Sequence, residues 1–355
     1  MNDPKKYLAD LLAAMAQNNA SDLHLSPAYY PTLRIDGRLV PLVNQEILSR
    51  ETLQGLTQEL AGPRIDQFTS QKELDFSITA GDGNRFRANI YQTNGSFAAA
   101  LRLIPKTVKT LAELNLPPIL NIFTKLSQGF VLVVGPNGHG KSTTMAAMID
   151  AINKERSEKI ITIEDPIEYI FTPEKSIIDQ REVGEDTLSF ANALRSSFRE
   201  NVNVLMIGEL RDYETMSAAV TAAETGHLVF ASLHTNSASQ TIERIIDSFP
   251  PNQQAQIRTQ LANTISGIIS QRLLPRIQGG LVPAVEVMIA TTAVRTLIRD
   301  NKPRQLDMVI ETSQDAGMTS LDKSLADLAR RKEITLEQAQ FYSIDPDNLK
   351  KYHGI

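Results

Sequence analysis

Residues 131–144 read VLVVGPNGHGKSTT, an apolar run that gives way to a glycine-rich turn. The turn keeps the spacing Gly135-x4-Gly140-Lys141-Ser142, and the TTMAAMIDAI that follows is compatible with a helix. A strand, a glycine loop and a helix in this order form a phosphate-binding loop, because backbone N–H groups and a helix N-terminus converge on one anion. The expected phosphate contacts are Gly135, Pro136, Asn137, Gly138, His139, Gly140, Lys141, Ser142 and Thr143.

Apolar strands alternate with helical stretches on both sides of this loop. The strands are FVLVVG, KIITIED, NVLMIGE and LVFASLH, and the helices begin near Lys141, around FANALRSSF and at MSAAVTAAE. This alternation is typical of an α/β fold with a parallel, helix-flanked sheet. Further helices are predicted at 252–274, 291–300 and 319–331, and the tail after about residue 344 is expected to be loosely ordered.

The first hundred residues follow a different pattern. YLADLLAAMA at 7–16 places apolar residues on one helical face, and short alternating segments after it predict strands. NRFRANIY alternates with period two, so Arg85 and Arg87 share one face while Phe86 and Ile90 share the other. We therefore expect a smaller α+β domain at 1–104, a linker at 105–118 and the larger α/β domain at 119–355.

Bulk composition excludes several classes of protein. At 355 residues, two domains are expected, and a net charge of −5 gives no general attraction to nucleic acid. The chain has no cysteine, which removes disulfides, thiol catalysis and thiolate-held zinc and is compatible with the cytoplasm. No signal peptide is expected at the start, and no apolar run approaches the roughly 20 residues that span a bilayer. Any membrane contact would then be peripheral or through a partner.

Two apolar strands run into acidic residues. KIITI leads into Glu164-Asp165, and VLMI leads into Gly208-Glu209. The carboxyl ends of parallel strands gather at one edge, so both carboxylates are expected beside the phosphate loop. One carboxylate would polarise water and the other would hold the metal shell, although solvated acids also commonly begin loops.

The segment GHLVFASLHT at 226–235 has a histidine at each end of a strand. Zinc binding is disfavoured, because the two rings would lie about 20 Å apart on an extended chain. His234, at the carboxyl end of the strand, is instead expected to lie near the terminal phosphate of a nucleotide. A structural histidine that bonds to the backbone is the alternative, more so for His227 than for His234.

Arginines can complete a phosphoryl-transfer site across a subunit boundary. Arg195 and Arg199 are spaced to share one helical face. A solvated surface position is the alternative for every arginine considered. The candidates are Arg85, Arg87, Arg102, Arg195 and Arg199.

Taken together, these motifs resemble the secretion ATPases of type II secretion and type IV pilus systems, and most closely the PilT-type pilus retraction ATPases. ITIEDPIEY at 161–169 resembles the Asp box of this family, MIGELRD at 206–212 its Walker B region, and TAAETGHLVFASLHTNSA at 221–238 its His box. The resemblance extends to 21–42, 85–92, 180–200 and 270–276, and so covers most of the chain.

The resemblance implies a PAS-like N-terminal domain followed by a RecA-like ATPase domain, assembled as a homohexamer that hydrolyses ATP with Mg²⁺. It implies that Lys141 and Ser142 contact phosphate and magnesium, that Glu164 is the catalytic base and that Glu209 lies in the metal shell. His234 would lie near the γ-phosphate. Arg87 and Arg102 would approach the ATP of a neighbouring subunit, and Arg195 and Arg199 would be their ATPase-domain counterparts.

Two features favour retraction over pilus assembly or secretion. Assembly ATPases usually carry a tetracysteine zinc insertion and a long extra N-terminal region, whereas this chain has no cysteine and begins with the PAS-like segment. AVRTLIRD at 293–300 is similar to the AIRNLIRE motif of retraction ATPases. His139 departs from the small residue that the family often has, and Glu200-Asn201-Val202-Asn203 departs from its Asp-Pro-Asp run.

The resulting hypothesis is a hexameric motor that drives pilus retraction and twitching motility. It would act at the cytoplasmic face of the inner membrane through a pilus platform protein, and a sister pilus ATPase is a further possible partner. The alternatives are an assembly or secretion ATPase and an accessory nucleotide-dependent subunit of a sister motor. A nucleic-acid motor on the same core is disfavoured by the acidic balance and by the lack of an aromatic and basic strand-binding patch.

Overall fold

The computed structural model describes residues 3–35, 37–81, 83–105 and 107–353, without the side chain of His353. The chain forms two compact units. The first comprises Met1–Thr107 and Pro166–Ile170, and the second comprises Val108–Asp165 and Phe171–Ile355. The chain therefore passes back into the first unit for a few residues directly after Asp165.

The first unit is an antiparallel sheet with helices. Its elements are α1 (Pro4–Gln17), β1 (Asp22–Leu25), β2 (Thr32–Ile35), β3 (Arg38–Pro41), α2 (Arg50–Ala61), α3 (Ile65–Gln71), β4 (Glu73–Thr79), β5 (Arg85–Thr93) and β6 (Ser96–Ile104). The six strands lie in the order β3-β2-β1-β6-β5-β4. This architecture confirms the smaller α+β domain.

Period-two alternation sorts the side chains of β5 between the two faces of this sheet. Phe86, Ala88 and Ile90 are fully buried, and Arg85 and Arg87 lie on the other face. Arg87 stands directly opposite Arg102 on β6. The expected division into a core face and an arginine face is thus confirmed.

The second unit is built on a seven-stranded sheet. Its strands are β7 (Gly129–Val134), β8 (Lys159–Glu164), β9 (Ile177–Glu182), β10 (Val204–Ile207), β11 (Leu228–Leu233), β12 (Ile265–Pro275) and β13 (Leu281–Ile289). They lie in the order β13-β12-β7-β11-β10-β8-β9. All neighbours are parallel except β12 and β13, which are antiparallel. The predicted parallel, helix-flanked sheet is confirmed.

Helices connect and follow these strands. They are α4 (Asn121–Thr124), α5 (Lys141–Glu155), α6 (Phe190–Ser197), α7 (Tyr213–Glu224), α8 (Ala238–Asp247), α9 (Gln254–Thr264), α10 (Thr292–Arg299), α11 (Leu306–Thr312), α12 (Leu321–Arg330), α13 (Leu336–Tyr342) and α14 (Pro346–His353). Helices α5 and α7 both pack against β7 and β11. Because every residue of β7 and β11 is buried, these strands read as continuous apolar runs rather than alternating ones.

Two sequence-based assignments are wrong. The helix expected at 252–274 ends at Thr264, and Ile265–Pro275 forms the strand that lies beside β7. A short apolar run that is buried on both faces cannot be told from a buried helix by its period. The tail is also more regular than expected, since Pro346–His353 is helical and Leu349 is buried.

The central strands place the functional residues. Val134 pairs with Leu233, and Ile207 pairs with both Ala231 and Ile163. The carboxyl ends of β7, β8, β10 and β11 therefore meet at one edge of the sheet, where the glycine loop begins. Among the described residues, no helix combines the length and the hydropathy that crossing a membrane would require.

Candidate active site

The glycine loop leaves β7 at Gly135 and enters α5 at Lys141. Gly135, Gly138 and Gly140 have φ angles of +148°, +76° and +81°, which side-chain-bearing residues rarely adopt. A Cβ at Gly135 would also lie 2.4 Å from the backbone oxygen of Gln271. Glycine is therefore needed at Gly135, and the loop leads directly into the N-terminus of α5, where backbone N–H groups can bind a phosphate group.

Lys141 is the centre of this cradle and is only 7% exposed. Its Nζ donates to the carbonyl oxygens of Gly135 at 3.0 Å and Pro136 at 2.9 Å. It also lies 3.1 Å from Nδ1 of His234. The structure thus brings the loop lysine and the histidine that follows β11 into direct contact.

His234 links Lys141 to Glu209. An ammonium group can only donate, so Nδ1 of His234 accepts and Nε2 carries the ring hydrogen. Nε2 lies 2.8 Å from Oε1 of Glu209, to which it donates. The ends of three strands are thereby joined in one hydrogen-bonded chain from Lys141 through His234 to Glu209.

Arg211, which was not among the residues predicted from the sequence, extends this series of hydrogen bonds. Its Nε lies 2.9 Å from Oε2 of Glu209, and its Nη1 lies 3.2 Å from Oδ2 of Asp165. The hydrogen bond with Glu209 is the main cause that raises the pKa of Arg211. The available signal was its place in MIGELRD, two residues after a strand-end acid.

Glu164 ends β8 and is 4% exposed. Its Oε1 accepts from the hydroxyl of Thr162 at 2.6 Å and lies 3.3 Å from Nε2 of Gln180. In both of these contacts the donor is a neutral group. The position is consistent with the predicted strand-end acid, held rigidly by its neighbours.

The candidate arginines lie in three separate settings. Arg87 makes a bidentate pair with Asp75, and Arg102 donates to Asp22 at 2.8 Å, both within the first unit. Arg195 is exposed and donates to Asn192 at 2.6 Å. Arg199 is exposed and lies in the turn that directly follows α6, which ends at Ser197.

His227 lies at the opposite end of β11 from His234. Its Nδ1 is 2.9 Å from the carbonyl oxygen of Ala222 and 3.3 Å from Oγ1 of Thr225. These contacts correspond to the structural alternative, a histidine that bonds to the backbone. His227 and His234 therefore have different environments although they flank one strand.

Residues 4–308 match the family described as type II/IV secretion system protein. The chain belongs to this family. Its relatives include a Pseudomonas aeruginosa protein named type IV pilus retractation ATPase PilT, which is 41% identical over 343 residues, covering 96% of this chain and 99% of that protein.

Two further comparisons agree with this placement. A Neisseria gonorrhoeae twitching motility protein is 43% identical over 311 residues, which cover 87% of this chain and 83% of that protein. A crystal structure of the pilus retraction motor PilT with bound ADP matches with a TM-score of 0.90 and 44% identity, covering 97% of this chain and 98% of that one. The resemblance inferred from the motifs is confirmed.

In this secretion system protein, the segment Glu200-Asn201-Val202-Asn203 makes contacts of its own. Oδ1 of Asn203 accepts from the backbone N–H of Lys159 at 2.9 Å, which joins the start of β10 to the start of β8. Asn201 adopts a left-handed φ of +53°. Glu200 accepts from Ser196 at 2.7 Å. An amide oxygen and a carboxylate oxygen thus act as hydrogen-bond acceptors at this turn.

A carboxyl group is buried where α8 begins, directly after the loop of residues 234–237, the His234 loop. Oε1 of Glu286, on β13, accepts from the backbone N–H of Ala238 at the start of α8, at 2.7 Å. Burial raises the pKa of Glu286 to about 7, although the Ala238 N–H and Arg272 both act to lower it. The folded protein therefore keeps the carboxyl group of Glu286 protonated at pH values where the unfolded chain has already lost this proton.

Glu286→Gln is expected to stabilise the protein more at pH 8 than at pH 5. A raised folded-state pKa favours folding at low pH, and this contribution is lost as pH rises through about 7. Glutamine keeps the hydrogen-bond acceptor for Ala238 but carries no charge. The difference in free energy of unfolding between the variant and the wild type should therefore grow by about 2 kcal/mol from pH 5 to pH 8. Thermal melts at both pH values measure this. The exposed substitution Glu59→Gln serves as the control, and an advantage independent of pH would contradict the assignment.

Proposed function

We propose that this chain is the ATPase motor of type IV pilus retraction, hydrolysing ATP to drive pilin disassembly and twitching motility. The observation that carries the proposal is the series of hydrogen bonds from Lys141 through His234 to Glu209, beside the phosphate loop. A phosphate loop alone binds a nucleotide, whereas acid and imidazole groups that converge on it can act on the terminal phosphate. The pilus retraction relative that aligns with 96% of the chain supplies the biological setting.

The residues fit ATP with Mg²⁺. A Cβ at Gly135 or Gly140 would collide with Gln271, so glycine keeps the loop backbone free of side chains at both positions. Ser142 follows this loop in the first turn of α5. Ser142 and Glu209 would hold the magnesium ion, which neutralises charge on the phosphate oxygens when it is bound. Lys141 would bind the phosphates, and Glu164 would accept a proton from the attacking water.

The arginines fit a hexamer in which one subunit completes the site of another. The side chain of Arg102 is 68% exposed and already paired with Asp22, so it can transfer to a stronger anion. Arg87 lies directly opposite on the neighbouring strand. Arg195 and Arg199 are exposed and supply a second pair from the ATPase unit. Arginine supplied across a boundary stabilises the charge of a phosphoryl-transfer transition state.

Two observations favour retraction over assembly. The chain has no cysteine for a tetracysteine zinc insertion. The motif at 293–300 forms α10, where Nη1 of Arg295 donates to the carbonyl oxygens of Ala262 and Asn263 at 2.8 and 2.7 Å. We place the hexamer at the cytoplasmic face of the inner membrane, on a pilus platform protein.

Purified protein with ATP and Mg²⁺ is expected to release phosphate, and Lys141→Ala is expected to reduce this to background. Loss of the loop lysine removes the charge that holds the phosphates, so turnover should fall at least about 100-fold. A phosphate-release assay measures this. Equal rates for the two proteins would refute the motor.

Deletion of the gene in the host separates the remaining alternatives. A retraction motor predicts excess static pili and lost twitching, whereas an assembly ATPase predicts that pili are absent. Unchanged retraction in a strain carrying Glu164→Gln would favour the accessory subunit. Counting surface pili by electron microscopy gives the answer.

A further inference from the structure

Strand β12 extends past the phosphate loop and contributes no residue to the Lys141–His234–Glu209 hydrogen bonds. It runs parallel to β7, with Ser270 paired to Val134, so its next residues lie beside the loop itself. The side chain of Gln271 is buried, at 3% exposure. Gln271 approaches so closely that a Cβ at Gly140 would lie 2.8 Å from its Nε2.

The side-chain amide of Gln271 joins the phosphate loop to the helix that follows it. Nε2 of Gln271 donates to the carbonyl oxygen of His139 at 2.8 Å, and Oε1 accepts from the hydroxyl of Thr144 at 2.7 Å. His139 belongs to the loop, whereas Thr144 lies in the first turn of α5. The carbonyl of His139 can only accept, which fixes the orientation of the amide.

His139 supplies a second attachment. Its Nδ1 accepts from the backbone N–H of Leu273 at 2.9 Å, so this nitrogen must be unprotonated. Burial is the main cause that lowers the pKa of His139, and the cations Arg272 and Lys141 lower it further. The ring is therefore neutral near pH 7 and keeps this bond, which a small residue at position 139 could not make.

The same strand also holds the loop that follows His234. Oγ of Ser270 donates to the carbonyl oxygen of Asn236 at 2.9 Å, and Nη2 of Arg272 donates to Oδ1 of Asn236 at 2.9 Å. Residues 270–273 thus bind the phosphate loop on one side and the His234 loop on the other.

We propose that β12 fixes the phosphate loop in its nucleotide-accepting shape, with Gln271 and His139 as positioning residues. Neither side chain needs to touch the nucleotide, because both act through the backbone of the loop. A loop that is already ordered loses little entropy when a ligand binds, so loosening it should weaken binding more than it slows chemistry. This inference rests on the proposed function only for its kinetic readout.

The test uses the full-length protein, with fluorescent N-methylanthraniloyl-ADP for binding and phosphate release for kinetics. His139→Ala is expected to raise Kd and KM about fivefold, as for one lost hydrogen bond, and Gln271→Met about tenfold or more for two. The value of kcat should stay within about threefold. His139→Asn, whose amide oxygen can replace Nδ1 as the acceptor, should restore most of the affinity.

The controls separate this inference from the proposed function. Gln58→Met, an exposed substitution on α2, should leave Kd unchanged. Raised Kd values together with a wild type that has no turnover would support the positioning role and refute the motor. Normal turnover together with unchanged Kd in His139→Ala would refute the positioning role alone. Because His139 is only half-buried, its variants test the inference even if Gln271→Met does not fold.

Discussion

Glu164→Gln is expected to lower ATP turnover by about 100- to 1,000-fold, the usual contribution of a positioned general base. Glutamine keeps the size of the side chain and the acceptor for Thr162, so β8 should not move. It cannot take a proton from water. Nucleotide affinity should therefore stay within about twofold of the wild type, so that the loss falls on kcat rather than on KM.

The measurement is steady-state phosphate release together with binding of a fluorescent ADP analogue. The exposed substitution Glu174→Gln is a matched control and should retain wild-type turnover. If Glu164→Gln kept more than about a tenth of the rate, the base would have to be another group. Glu209, which His234 and Arg211 both contact, would be the next candidate.

Gly135→Ala is expected to abolish nucleotide binding and to lower the melting temperature by roughly 10 °C. The new Cβ would lie 2.4 Å from the backbone oxygen of Gln271, and neither strand can move without disturbing the pairing of β7 with β12. The backbone of Gly135, at φ +148°, also disfavours alanine. Collision and backbone strain together destabilise the sheet at the point where the loop begins.

Gly138→Ala provides the matched control in the same loop. Gly138 also has a positive φ, +76°, but a Cβ there would meet no atom within 4 Å. Gly138→Ala should lower the free energy of unfolding by only about 1 kcal/mol and the melting temperature by roughly 3 °C. Thermal melts and ADP binding compare the two variants. If they behaved alike, the close approach of Gln271 to Gly135 would have no energetic consequence.

Local patterns were sufficient to predict the central sheet and the position of its acids. The glycine spacing predicts the loop, and apolar runs that end in Glu164 and before Glu209 predict where parallel strands finish. Such features depend on neighbours in the sequence. The alternation that buries Phe86 and Ile90 was predictable for the same reason.

Contacts between distant segments were not predictable from one sequence. Gln271 meets His139 and Thr144 across more than a hundred residues, and nothing local marks Ile265–Pro275 as a strand. Arg211 contacts both Asp165 and Glu209 because the fold brings these two acids together from distant parts of the sequence. Helix α6 ends before Arg199 although the i, i+4 spacing suggests that it continues.

The contacts of Lys141 mean that nucleotide binding is an exchange rather than an addition. The ammonium group already has acceptors in Gly135, Pro136 and His234, so a phosphate must displace at least one of them. If the bond to His234 is the one exchanged, the imidazole becomes available to the incoming phosphate and its hold on Glu209 can change in the same event. The net affinity then measures a difference between two bonded states, and the arrival of the nucleotide is coupled, through His234, to the hydrogen bonding of Glu209.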